Sequence, residues 1–169
     1  MLPIRLEIKN FLAYRSPEPV RFDGIHLACL TGANGAGKSS LLDAITWALW
    51  GKARARRDEE LVHLGQNDMY VLLEFEQDGL IYQVNRQRTR SKGGAGILHL
   101  IALGDDGAPN DISEPNMRAT QDKINRLLNL DYETFVHSAF LQQGKADSFT
   151  TKTPRERKQI LSDILGLAR

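Results

Sequence analysis

The run Gly32-Ala33-Asn34-Gly35-Ala36-Gly37-Lys38-Ser39 constrains this chain more than any other segment. It fills every fixed position of the P-loop pattern. The glycines let the backbone curl so that successive N–H groups point inward and cradle phosphate oxygens. A helix opening at Lys38 aims its positive end at the same anion. Lys38 is placed to reach the β- and γ-phosphates, and the Ser39 hydroxyl to ligate magnesium. The flanks agree with that reading. Ile25 to Thr31 is almost wholly apolar and reads as a strand buried on both faces. Lys38 to Trp50 reads as a helix, with Gly51 where a stop belongs. The motif alone does not choose between kinases, GTPases and ATPases.

Elsewhere the pattern alternates between strands and helices. Leu2 to Asn10 has period two, with Leu2, Ile4, Leu6 and Ile8 on one face, as in a half-buried strand. Pro17 and Pro19 break the chain after it. Met69 to Gln77 and Leu80 to Arg88 form an expected hairpin, turned by Asp78-Gly79, which supplies the positive φ such a loop needs. Ser91 to Gly96 reads as a flexible loop. Ile97 to Leu103 is a further strand, closed by the turn Gly104 to Gly107. Helices are expected from about Asn116 to Leu128 and from Tyr132 to Phe140. A third starts at Thr153-Pro154-Arg155-Glu156, which combines an N-cap, a proline at the first helical position and a glutamate three residues after the cap. The chain ends shortly after that helix develops, and no later strand returns to a sheet; this reads as a truncation.

Composition narrows the class. With 169 residues, 41% hydrophobic and 25% charged, the chain can build one domain with a core. The net charge of +1 argues neither for nor against nucleic acid, so any DNA contact must come from local patches. Cys29, the one cysteine, cannot form an internal disulfide and reads as a buried, inert thiol, which fits a reducing cytosol. No segment has the form of a signal peptide or of a membrane span. His26, His63, His99 and His137 show no metal-ligand spacing. Trp47 and Trp50 sit one helical turn apart and read as core.

Three further segments carry a resemblance: Leu6-Glu7-Ile8-Lys9-Asn10-Phe11 at the opening, Ser39-Ser40-Leu41-Leu42-Asp43-Ala44-Ile45 after the P-loop, and Phe140-Leu141-Gln142-Gln143-Gly144 near the end. With the P-loop, they make the chain similar to the N-terminal lobe of the SbcC family, the SMC-like ATPase subunits of double-strand-break repair nucleases. The resemblance implies an α/β P-loop NTPase fold. It would be the N-terminal lobe of an ABC/SMC-type head, with antiparallel β hairpins in residues 1–150 and the root of a coiled-coil helix in residues 151–169. It implies ATP and Mg2+ as ligands, held by Gly32 to Ser39 together with Ser40. Gln143, just before Gly144, matches the family's glutamine, which touches magnesium and the attacking water; its neighbour Gln142 matches less well. Leu64-Gly65-Gln66 aligns with a segment near the nucleotide base. The implied partners are the C-terminal lobe, which carries the Walker B carboxylates and signature motif, a second head as a homodimer, an SbcD-type nuclease and DNA. The implied location is cytoplasmic, at the nucleoid. One position departs from the family: Leu12 stands where some members place a nucleotide-contacting arginine, and Arg15 lies three residues on.

The residues themselves also admit other readings. As residues, Gln143 and Gly144 also suit a helix-ending turn. Leu98 to Asp106 imitates an apolar strand ending in catalytic carboxylates, but its bracketing glycines mark Asp105 and Asp106 as turn residues. Asp147 and Asp163 have no strand before them. ATP hydrolysis is therefore expected only with the C-terminal lobe. Lys52, Arg54, Arg56 and Arg57 form one basic cluster. Arg86, Arg88 and Arg90 share one strand face, with Lys92 beyond. On charge alone these are solvated surfaces; the resemblance adds DNA phosphates as their partner. Rival readings are a RecF-like or other SMC-like ATPase, and a non-catalytic module whose ATP gates assembly on DNA.

Overall fold

Met69, Val71, Leu73 and Phe75 alternate along one strand, and each is at most 1% exposed. That period-two pattern organises a six-stranded antiparallel sheet. The computed structural model describes residues 1–25, 27, 29–55, 57–90, 96–104, 106–138 and 153–155. The strands are β1 (Leu2–Lys9), β2 (Val20–Arg21), β3 (Asp68–Gln77), β4 (Leu80–Thr89), β5 (Gly96–Leu103) and β6 (Pro109–Asp111). Their order across the sheet is β2-β1-β3-β4-β5-β6. Asp78 (φ +54°) and Gly79 (φ +80°) make the expected two-residue turn, and pairing runs unbroken from Gln77–Leu80 to Asp68–Thr89.

Helix α1 (Lys38–Trp50) packs on β3 and β4. Its residues from Thr46 to Trp50 are all buried, and Trp47 and Trp50 belong to the core as expected. Gly51 ends the helix in a left-handed conformation (φ +64°), its N–H donating to the Trp47 carbonyl at 2.8 Å. Helix α2 (Met117–Leu128) is capped by Asn116, whose Oδ1 accepts the Ala119 N–H at 2.9 Å. Ile124 and Leu128 turn inward, while Leu127 is half-buried.

Two compact units make up the chain, Met1–Leu127 and Leu128–Arg169. In the second, α3 (Tyr132–Ser138) starts at Asp131, whose carboxylate accepts the Thr134 N–H at 2.8 Å. Pro154 and Arg155 are helical, as the capping sequence implies. The expected division at residues 150–151, the remainder of that helix and nearly all of the expected loop at 91–96 lie outside the described residues.

Two expectations fail. Among the described residues Ile25 to Thr31 forms no strand. Leu27 is 93% exposed, Ile25 50% and Leu30 47%, and Cys29 is exposed rather than buried. The physical reason is the lack of a ladder. The sheet edges are β2 and β6, and neither pairs with this run. Apolar composition states that a segment should be covered, and the described residues leave it open. The short edge strands β2 and β6 carry too few residues for a readable period.

Leu73→Ala is expected to cost about 2–5 kcal/mol of stability, because it empties a fully buried site. Leu72→Ala, one residue away on the other face, is expected to cost less than about 1.5 kcal/mol. Urea unfolding of both variants checks the register directly.

Candidate nucleotide-phosphate site

The loop after Thr31 owes its shape to its glycines. Gly35 (φ +84°) and Gly37 (φ +93°) occupy backbone conformations that side-chain-bearing residues rarely adopt. A tight turn forms between them and the loop's start, the Ala36 N–H donating to the Ala33 carbonyl at 3.2 Å. Gly37 is the N-cap of α1, no side chain caps that end, and its first turn holds no acidic residue. The first N–H groups of the helix have no carbonyl one turn earlier, so its positive end is left for an anion. The Lys38 ammonium folds over the loop, donating to the carbonyls of Gly32 at 2.6 Å and Ala33 at 2.8 Å. The Ser39 side chain is half-buried beside it, and Ser40 is buried.

These groups fit a polyphosphate: backbone donors, a helix N-terminus and one ammonium converge on a single loop. They also fit Mg2+ held chiefly through the phosphates. No group of three or more His, Cys, Asp or Glu residues among the described residues could hold a metal by itself. Magnesium commonly takes phosphate oxygens, water and one or two protein ligands, and Ser39 is placed to be such a ligand.

The loop leans on a small hairpin at the end of β1. Phe11 and Tyr14 exchange backbone hydrogen bonds of 2.8 and 2.9 Å around Leu12-Ala13. Leu12 sits at φ +47°. Its N–H donates to Leu61 at 2.7 Å, and the His63 N–H donates to Asn10 at 2.8 Å. The His63 ring nitrogen Nδ1 lies 2.7 Å from the Leu12 carbonyl, which fixes the proton on Nδ1. His63 then starts the turn Leu64-Gly65-Gln66, closed by the Gln66 N–H on the His63 carbonyl at 3.0 Å. Leu64 at its tip is 85% exposed. The Tyr14 hydroxyl donates to the Gly37 carbonyl at 3.1 Å. Nothing in the P-loop pattern singles out Tyr14 or His63; only an aromatic residue close after the Asn-Phe pair hints at the first.

The basic residues go elsewhere than expected. Arg86 and Arg88 share a strand face, but it is the face of Tyr82 and Val84 that turns toward the core, while Arg90 lies just past the end of β4. Arg86 is buried. It donates to the Ala48 carbonyl at 3.0 Å and to Gln121 Oε1, and its guanidinium lies over the Trp47 ring at 5.8 Å. Burial pushes its pKa down to about 10, opposed by the charge of Asp58, so it stays protonated at neutral pH. Its side chain caps the C-terminal end of α1 and is only 6% exposed, unlike the solvated strand end that its charge suggests. Arg88 lies 3.7 Å from both Asp58 and Glu59. Arg54 grips Asp43 of α1 with contacts of 2.7 and 2.8 Å, the carboxylate being 3% exposed. Arg57 is exposed and pairs with Glu60 at 3.0 Å. Arg90 and Arg15 are exposed. No exposed arginine stripe results among the described residues. Arg56, Lys92, Gln142 and Gln143 lie outside them. The turn after β5 uses Asp106 as a turn residue, its Oδ1 accepting the Ala108 N–H at 2.9 Å.

Residues 5–169 match the family model of an AAA domain. The chain is 33% identical over its whole length to the SbcC subunit of the nuclease SbcCD of Deinococcus radiodurans, of which it covers 19%. It is 35% identical to the DNA double-strand break repair Rad50 ATPase of Thermoplasma volcanium, again over its whole length and 18% of that protein. The chain thus spans about a fifth of the length of these relatives. A solved structure from work on ATP-driven dimerization and DNA-stimulated activation of SMC ATPases superposes with a TM-score of 0.66 at 22% identity, covering 97% of this chain and 99% of that one. The recombination mediator RecF superposes with a TM-score of 0.55 at 17% identity, covering 96% and 38%. At those identities the structures speak for the fold alone. They bear out the expected class, an α/β lobe of the ABC/SMC ATPase type, and the relatives bear out the resemblance to SbcC.

Arg54→Ala is expected to lower stability by about 1–3 kcal/mol, since it leaves the Asp43 carboxylate buried without its partner. Chemical denaturation of the variant measures this, and an unchanged midpoint would reduce the pair to surface decoration.

Proposed function

Because this chain belongs to the AAA-domain family, we propose that it is the ATP-binding N-terminal lobe of a DNA-repair ATPase head. The observation that carries this reading is the loop itself: Gly35 and Gly37 in left-handed conformations that favour glycine, an uncapped α1 N-terminus and the Lys38 ammonium over them. Residues Asn34 to Ser40 hold the phosphates of Mg-ATP. Backbone N–H groups at the start of α1 take the phosphate oxygens, and Lys38 neutralises charge that grows on the β- and γ-phosphates during transfer. Bound Mg2+ supplies further charge neutralisation there, with the Ser39 hydroxyl as a ligand. Gln143 orients water at the γ-phosphate, and Leu64-Gly65-Gln66 lies on the base side. Residues 1–150 form the lobe and residues 151–169 the root of a coiled coil.

The carboxylates that hold the metal and activate water come from a C-terminal lobe. The open apolar run at Ile25, Leu27 and Leu30 supports this, since a covering partner would bury it. Two such heads close on ATP and part on hydrolysis, controlling an SbcD-type nuclease at DNA ends. That assembly rests on what the relatives are. DNA phosphates are contacted by the basic residues Arg54, Arg56, Arg57, Arg88 and Arg90, with the buried Arg86 the weakest of the six candidates.

The test is ATP hydrolysis with magnesium by the chain alone and mixed with its separately expressed C-terminal lobe. Turnover is expected only in the mixture, and Lys38→Ala is expected to lower it at least about 100-fold, as loss of a transition-state charge contact does. Equal turnover by the chain alone would place a catalytic carboxylate within these 169 residues and refute the split site.

A further inference from the structure

We propose that Tyr14 is a positioning residue for the phosphate loop: its phenol fixes the plane of the Gly37–Lys38 peptide and so aims the Lys38 N–H out of the open end of α1. The proposal rests on the phosphate-site reading above. The Gly37 carbonyl accepts three donors: the Ser40 N–H at 2.9 Å, the Leu41 N–H at 3.2 Å and the Tyr14 hydroxyl at 3.1 Å. The first two come from α1 itself, and the phenol reaches in from a different element. A trans peptide is planar, so its C=O and N–H point in opposite directions. A carbonyl held down the helix therefore turns the following N–H, that of Lys38, up toward the anion.

The need for an outside hold follows from the residue. Glycine has the widest choice of backbone conformations, and at φ +93° Gly37 has no side chain to keep it in place. Tyr14 supplies the missing restraint sterically as well. A Cβ on Gly37 would meet the Tyr14 Cζ and hydroxyl oxygen at 3.3 Å and the Ala13 Cβ at 3.1 Å. The hairpin tip thus lies directly on the loop backbone. Tyr14 can act as a fixed post because its own backbone is pinned to Phe11, and Leu12 beside it is pinned to Leu61 and His63.

The experiment is calorimetric titration of the chain with MgATP and MgADP, in wild type, Tyr14→Phe, Tyr70→Phe and Lys38→Ala. Tyr14→Phe keeps the ring and removes the hydroxyl. It is expected to weaken both nucleotides about three- to tenfold, the net worth of one hydrogen bond. Its thermal unfolding without nucleotide is expected to match wild type. Tyr70→Phe, which removes a phenol paired with Glu7 of β1, is expected to leave affinity unchanged. Wild-type affinity in Tyr14→Phe overturns the proposal. So does a loss of affinity matched by a loss of nucleotide-free stability, which would make Tyr14 merely structural. If wild type and Lys38→Ala both fail to bind, the phosphate-site reading itself falls and Tyr14 with it.

Discussion

The indole of Trp47 joins three parts of the molecule to one helix. Its ring sits 5.6 Å from the Phe11 ring and 5.8 Å from the Arg86 guanidinium, and its Nε1 donates to Asp58 at 3.3 Å. Phe11 belongs to the small hairpin, Arg86 to β4, and Asp58 to a short 3-10 turn. Through this side chain α1 is fixed against the sheet, and the position of the glycine loop at its start follows. Burying so large an aromatic is worth a few kcal/mol, and the cation over its face adds to that.

The two ends of α1 are treated oppositely. At the C-terminal end the carbonyls are met by donors: Gly51 on Trp47, Arg86 on Ala48, and Gln121 on Leu49 at 2.7 Å. A cation at that end complements the helix dipole. At the N-terminal end no side chain caps the N–H groups of the helix. A helix so arranged has its carbonyl end saturated by donors and its N–H end open beside the glycine loop. Asp43 and Arg54 secure its middle.

Much of this is legible in the sequence because it depends on local rules. Period two marks β3 and β4, Asp78-Gly79 marks their turn, and Gly51 marks the end of α1. Strand alternation puts the arginines at 86, 88 and 90 on one face, yet which face of a strand is inward depends on what packs there. Charge alone suggests solvent, but the carbonyl ends of α1 make a buried guanidinium tolerable. The apolar run at 25–31 shows the converse limit: composition says that it wants cover, not whether cover is at hand. Tyr14 is invisible to such rules because its importance comes from a hairpin that brings it to Gly37, far along the chain.

That same open run has a consequence for how the polypeptide is handled. Ile25-His26-Leu27-Ala28-Cys29-Leu30-Thr31 contains no proline and no permanently charged residue. Unpaired segments of this kind template pairing between copies. Ile25, Leu27 and Leu30 are therefore the side chains through which a lobe lacking its cover would meet a second copy, with the exposed thiol of Cys29 beside them.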